Sequence, residues 1–391
     1  MKAALLAVTA LAAGLCARAQ ASDLGDWSLD PYTAELSDAE LTVGGLAQGT
    51  LFSASEPDNA SPPWASGAAT LTASLKRDYD SGMMLGLKTA FEVAHDRYSG
   101  DNYGSDLVQK VYGVAQTGLG RLEIGMTDGA AYALSVTGPV VDDATSLDNP
   151  NVTFFRDPST GRAFVNLFTL NSAVESSYNY AKFSYYTPRL FGLELGVSYT
   201  PSQGKDVIPF LSGGPRVANR PHSIWESAAS YSDTFGRLSL GFYAALAVGH
   251  DAAPTPGHAG LTDWGVGGEA DYSLNDDMKL SFGGAYRQSN AYALEDDDVL
   301  KGHQTDSAHL SATLTDGAWI IGGEVGDGTA QGTPKLGVRG YEASFGYVFN
   351  ANLQATAGWQ QLRYSRDIGT FFNGAPRIDM DAVFFHLKLH V

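Results

Sequence analysis

Seven short, turn-like connections alternate with eight long gaps between strand-like segments along the chain, and few folds accommodate that rhythm. The tight connections centre on Asp80-Ser81-Gly82, Gly118-Leu119-Gly120, Arg189-Leu190-Phe191-Gly192, Asp233-Thr234-Phe235-Gly236, Asn275-Asp276-Asp277, Asp316-Gly317 and Asn350-Ala351-Asn352. Between them lie Gly-, Pro- and Asp-rich stretches near residues 53–69, 96–106, 127–177, 201–223, 250–262, 288–305, 326–337 and 366–377. The count gives sixteen strands, with both chain ends on the short-turn side. An even strand number, short turns at one end and long loops at the other are the marks of a barrel that runs up and down through a bilayer.

The strand faces support that reading. Leu238, Leu240, Phe242, Ala244, Leu246 and Val248 alternate with Arg237, Ser239, Gly241, Tyr243, Ala245 and Ala247. Successive side chains of a strand point to opposite faces, so one face is apolar and the other small or polar. Trp264, Val266, Ala270 and Tyr272 oppose Glu269, Asp271 and Ser273; Met278, Leu280, Phe282 and Tyr286 oppose Lys279, Ser281 and Arg287. Tyr341, Ala343, Phe345 and Tyr347 oppose Glu342, Ser344 and Gly346, and at the C-terminus Val383, Phe385, Leu387, Leu389 and Val391 oppose Phe384, His386, Lys388 and His390. In a soluble sandwich Glu269, Asp271, Lys279 and Glu342 would sit in a dry core, where isolated charges are costly; a water-filled interior accepts them. The strands around Leu41–Phe52 and Leu107–Gln116 alternate less cleanly, which fits outward faces covered by protein or a misread register.

Composition narrows the setting. Met1-Lys2 followed by an apolar run to Leu15 and then Ala19-Gln20-Ala21 reads as a secretory signal peptide over residues 1–21. The apolar run is about thirteen residues, short for a membrane span. Cys16 would leave with it, so the mature chain holds no cysteine and no disulfide. Loss of Lys2 and Arg18 takes the formal charge from −18 to −20. That acidic balance argues against nucleic acid as a partner. Residues 22–39 read as an acidic periplasmic extension ahead of a barrel over 40–391.

Catalytic and metal-binding patterns are sparse. No G-x-S-x-G, H-E-x-x-H or G-x-x-x-x-G-K-[ST] occurs. His386 and His390 share a face, but four residues of strand span about 13 Å, too far for one metal ion. Glu295-Asp296-Asp297-Asp298 offers oxygen ligands for a loop-bound Ca²⁺, but without the ligand order of known calcium loops, and a solvated acidic loop accounts for it as well. No other cofactor is expected.

The third long gap, 127–177, breaks the rhythm: about fifty residues pass without a cleanly alternating strand, and loops of that length are usually functional or disordered. Around it the chain resembles the general porins of Gram-negative bacteria, most of all the alphaproteobacterial type. Lys110-Val111-Tyr112-Gly113-Val114 and Gly118-Leu119-Gly120-Arg121-Leu122-Glu123-Ile124-Gly125-Met126 are similar to that family's strand–turn–strand pair before its pore loop. Lys182-Phe183-Ser184-Tyr185-Tyr186-Thr187-Pro188 with Leu193-Glu194-Leu195-Gly196-Val197-Ser198-Tyr199 is similar to the pair after it. The chain departs from the family in ending on Val391 where Phe is usual.

The resemblance implies a homotrimer in contact with outer-membrane lipid and lipopolysaccharide, whose third loop folds into the lumen opposite a basic wall. The acidic candidates on that loop are Asp142, Asp143, Asp148 and Asp157; the basic candidates on early strands are Lys76, Lys88 and Arg121, with Lys110 on a strand of ambiguous face. Facing charges of opposite sign orient dipolar solutes, and the net sign biases ion choice. The expectation is a sixteen-stranded antiparallel transmembrane barrel passing ions and small hydrophilic solutes, weakly cation-preferring. The other readings are a sugar-selective channel with Tyr180, Tyr186 or Tyr243 as a stacking track, a barrel lipase with a lipid-facing Ser/His pair, and a plugged adhesin.

Overall fold

The computed structural model describes residues 30–55, 64–95, 108–149, 170–203, 221–250, 260–291, 304–333, 335–370 and 374–391. The signal segment, Asp157 and the acidic run at 295–298 lie outside them. Strand β1 (Tyr32–Leu36) precedes β2 (Ala39–Ser55), β3 (Trp64–Asp78), β4 (Met84–His95), β5 (Val108–Thr117), β6 (Gly120–Met126), β7 (Ala181–Tyr186), β8 (Leu193–Ser202) and β9 (His222–Phe235). There follow β10 (Leu238–His250), β11 (Leu261–Ser273), β12 (Met278–Ser289), β13 (Gln304–Asp316), β14 (Trp319–Gln331), β15 (Leu336–Val348), β16 (Leu353–Arg366) and β17 (Arg377–His390).

Each strand from β2 onward pairs antiparallel with the next, and β17 returns to β2 with Asp381 opposite Ser55 and His390 opposite Leu46. Sixteen strands therefore close on themselves, which leaves no sheet edge for lipid to expose. The last residue continues the seam: Val391 N donates to Gly45 O at 2.9 Å and Val391 O accepts from Gly45 N at 3.0 Å. Backbone pairing at this position is indifferent to the side chain, so Val serves the closed ladder as well as Phe.

All seven short turns lie where the sequence placed them, at one end of the barrel. Gly236 and Gly317, at φ 66° and 56°, supply the left-handed residue that the tightest of these reversals need. Two details differ from the sequence reading. The stretch 326–337 is not a long loop: β14 runs to Gln331 and β15 begins at Leu336. Gly326, Gly328 and Ala330 hid the alternation there, because a face without side chains leaves no periodic signal, while the ladder with β13 and β15 continues unbroken. The acidic extension is also not free of strand, since Tyr32–Leu36 folds back on β2 with Tyr32 opposite Val43.

Exposure alternates along the wall. On β10, Phe242, Leu246 and Val248 are exposed while Tyr243, Ala245 and Ala247 are buried. On β13 and β14, Leu310, Ile321 and Val325 are exposed while His309, Ser311 and Glu324 are buried. An apolar outer band with polar groups on the opposite face is the arrangement a lipid-embedded barrel requires. Trp319 packs on Tyr347 at 4.3 Å between ring centroids, and Tyr347 on Phe349 at 4.8 Å, forming an aromatic border beside the turns.

Candidate functional site

The described parts of the long third connection, residues 127–149 and 170–180, form two arms that pack against the face opposite the exposed apolar band. Their residues explain why the wall has so many bare positions there. A Cβ on Gly267 would lie 2.3 Å from Val136 O, one on Gly322 2.5 Å from Val141, and one on Gly340 2.6 Å from Leu170. Glycine at these strand positions lets a second layer of chain approach the wall.

The first arm starts with a one-turn helix, Ala130–Ala133. Ala131 N donates to Glu226 Oε2 at 3.3 Å and Ala130 N to Ser198 Oγ at 3.1 Å. Further along, Val141 O accepts from Gln354 at 2.9 Å, and the Asp142 carboxylate takes His386 Nδ1 at 2.7 Å and Thr356 Oγ1 at 3.0 Å. Ser146 Oγ and Leu147 N donate to Glu324 Oε2 at 2.7 and 3.1 Å, an oxygen also 3.0 Å from His309 Nε2. Thr145 O accepts from Gln360, which donates in turn to Glu342 at 3.0 Å.

The second arm is held as firmly. Ser307 Oγ donates to Asn171 O at 2.7 Å, Tyr243 OH to Ser172 O at 2.9 Å, and Ser177 N to Glu226 Oε1 at 3.1 Å. Lys182 Nζ is fully buried and donates to the carbonyl oxygens of Thr127, Ser177 and Tyr178, joining the roots of both arms. Arg287 pairs twice with Asp263, at 2.9 and 2.8 Å, and lies 3.9 Å from Glu175. The arms also meet each other, Asp148 accepting from Ser172 N and Oγ at 2.6 and 2.8 Å. Leu147 and Leu170 complete the anchoring in an apolar cluster with Phe52, Leu336, Leu362, Met380 and Phe384.

Between the arms lies a cavity of about 350 Å³ lined by Asp128, Asp143, Asp148 and Glu175, with Lys110 as the one basic residue among the described residues that line it. Lys110 is already paired, 2.6 Å from Asp128. Burial pushes the Glu175 carboxyl up to about 7 despite Arg287, and burial also raises Asp148. Burial works in the same direction on Asp142, but donation by His386 and the nearby charge of Lys388 hold it below the ordinary carboxylate range.

The sequence candidates divide accordingly. Asp143 and Asp148 line the cavity, whereas Asp142 is 4% exposed and serves as an anchor to the wall. Lys76 sits beside the turn at the end of β3, paired with Asp78 at 2.7 Å. Arg121 stacks over Tyr186 at 4.4 Å and lies 3.1 Å from Glu123. Lys88 shares a cross-strand row with Tyr112, Gly125 and Lys182, so the basic group nearest the arms includes a lysine the sequence did not single out. Tyr186 and Tyr243, candidates for a stacking track, are 1% and 4% exposed and belong to the packed layer under the arms. Glu226, Asp263, His309 and Glu324 were missed; each reads in sequence as one more polar residue on an alternating strand, and only the folded chain shows what they hold.

A closed sixteen-stranded barrel with an apolar belt, a polar opposite face and long connections at one end defines the class of outer-membrane diffusion channels. The family model of the Gram-negative porins matches residues 4–367, and the chain belongs to that family. It is an integral outer-membrane β-barrel that forms a channel for passive diffusion.

The anion-selective porin from Comamonas acidovorans superposes with a TM-score of 0.56 at 11% identity, covering 90% of this chain and 100% of that one. The outer-membrane channel DcaP of Acinetobacter baumannii gives 0.59 at 13% identity over 93% and 100%. A triple mutant of the Rhodopseudomonas blastica porin gives 0.52 at 14% over 90% and 100%. At these identities the likeness concerns the fold. No protein with a curated description matches the chain.

Proposed function

We propose that residues 127–177 form the channel's constriction and that the pore they leave prefers cations weakly. The observation that carries this is the cavity between the arms, where Asp128, Asp143, Asp148 and Glu175 face a lysine already neutralised by Asp128. Fixed carboxylates at a narrow passage lower the energy of a passing cation and raise that of an anion. Burial of Glu175, which pushes its carboxyl up to about 7, keeps the preference modest at neutral pH, since that group is only partly available as a charge. Lys88 on β4 and Arg121 on β6 are opposite in sign to the acidic arms, which supports a transverse field across the passage.

Reversal potentials across a planar bilayer in a KCl gradient test the preference: a potential of the sign expected for K⁺ supports it, and one of the opposite sign overturns it. Saturable block by a sugar would instead support a substrate-selective channel. The chain is proposed to work as a homotrimer after loss of residues 1–21. Small outward residues on β2 and β3, among them Ala47, Gly49, Gly67 and Ala69, offer a smooth wall for a neighbouring subunit.

A further inference from the structure

We propose that His222 and His250, at the end of the barrel opposite the short turns, form a binding site for a divalent transition-metal ion of the Zn²⁺ or Cu²⁺ type. His222 begins β9 and His250 ends β10. The ladder between these strands runs in unbroken antiparallel register from Leu238 opposite Phe235 to Val248 opposite Trp225. Continued in that register, it would set Ser223 opposite His250. Instead the register shifts beyond Val248, and His250 pairs with His222. Ser223 absorbs the extra residue at φ 53°, a left-handed conformation that is costly for any residue with a side chain. Bulges of this kind re-aim a side chain, and here an imidazole is brought onto a second imidazole.

The resulting geometry suits one shared ion. A metal held about 2.0–2.1 Å from one nitrogen of each ring lies roughly 3.2 Å from each ring centre, so two imidazoles on one ion at tetrahedral or wider angles have centroids roughly 5–6 Å apart. The rings of His222 and His250 stand 5.7 Å apart between centroids, inclined at 44°. Ser223 serves the pair through its side chain as well. Its Oγ lies 3.2 Å from His222 Nδ1, and donation of Nδ1–H to that oxygen selects the tautomer whose Nε2 carries the lone pair. His250 is exposed and His222 half-buried, so an ion reaches both rings from solvent. A tilted ring contact at an exposed rim gains little by itself and leaves the backbone cost at Ser223 without a return. Imidazole nitrogen suits Zn²⁺, Cu²⁺ and Ni²⁺ and not the hard, oxygen-seeking Ca²⁺ and Mg²⁺. Among the described residues no group of three His, Cys, Asp or Glu side chains gathers to hold a metal. The site is therefore a pair of imidazoles with its remaining positions left to water, which makes it exchangeable where a four-ligand structural site is closed.

The test is calorimetric titration of the untagged, chelator-treated protein, purified whole in detergent, with ZnCl₂, followed by electron paramagnetic resonance of the Cu²⁺-loaded form. One Zn²⁺ site per chain and two nitrogen ligands in the Cu²⁺ spectrum are expected. His222→Ala and His250→Ala should each weaken Zn²⁺ binding by roughly 100-fold, because removing one imidazole turns a two-point attachment into a single contact. Each should also leave one nitrogen in the spectrum. His390→Ala, at the turn end of β17, should change neither reading. Should an alanine variant fail to migrate as a heat-modifiable barrel, His250→Gln, which keeps a polar side chain at an exposed position, reads the same loss. Absence of a Zn²⁺ site in wild type, or an affinity and a two-nitrogen spectrum retained in either folded variant, would overturn the proposal.

Discussion

Glu324 shows how one side chain can hold a long segment of chain. It is buried on β14 and accepts from Ser146 Oγ, Leu147 N and His309. Replacement by Ala strands these donors, and each buried group without a partner costs about 1–3 kcal/mol. Glu324→Ala is therefore expected to keep the barrel but loosen residues 141–149, read as faster protease cleavage there and noisier single-channel currents. Glu175 carries a pH dependence. Its pKa is raised by burial to about 7 from an ordinary 4.5, so the folded protein holds this proton more tightly than the unfolded chain. The group's contribution to stability is then lost as pH rises between those values, and its negative charge appears in the cavity only as pH passes about 7. Cation preference should increase from pH 6 to pH 8 in wild type, and Glu175→Gln should flatten that rise; reversal potentials at the two pH values decide it.

At the scale of elements, the strands were legible because lipid on one side and water on the other impose a period of two. Leu238–Val248 and Val383–Val391 carry that signal openly. It failed on β14 beyond Val325, where Gly326, Gly328 and Ala330 remove one of the two faces. It also failed for β1, whose five residues depend on a ladder with β2 more than on any pattern of their own. The arms depend on bare strand positions. Gly340→Val would drive a side chain into Leu170 and Leu147, since even a Cβ there lies 2.6 and 3.0 Å from them. The expected outcome is a barrel of normal heat-modifiability with a displaced second arm and an altered unitary conductance; an unchanged conductance would show that the arms do not limit the pore.

For the whole molecule, closure, belt and connections follow from the bilayer as solvent, whereas the proposed trimer would rest on the outer wall. Across β2 and β3 the outward row Ala47–Ala69 adjoins Gly49–Gly67, with no bulky side chain at any of the four positions. Ala69→Arg should be tolerated by a monomer facing a headgroup region and rejected by a packed subunit interface. Loss of triplet conductance steps together with a smaller particle in light scattering is the expected result.

The amino-acid order by itself determined the strand number, the turn side, the lipid-facing residues and the location of the exceptional connection, because each is a local consequence of period and turn chemistry. Only the tertiary structure decided what that connection touches. Asp142 meets His386 across 244 positions of sequence and Ser146 meets Glu324 across 178. Pairings of that range leave no mark on local periodicity. They arise when a closed barrel brings far strands to one interior, and the buried carboxylates of that interior must find donors wherever the chain can supply them.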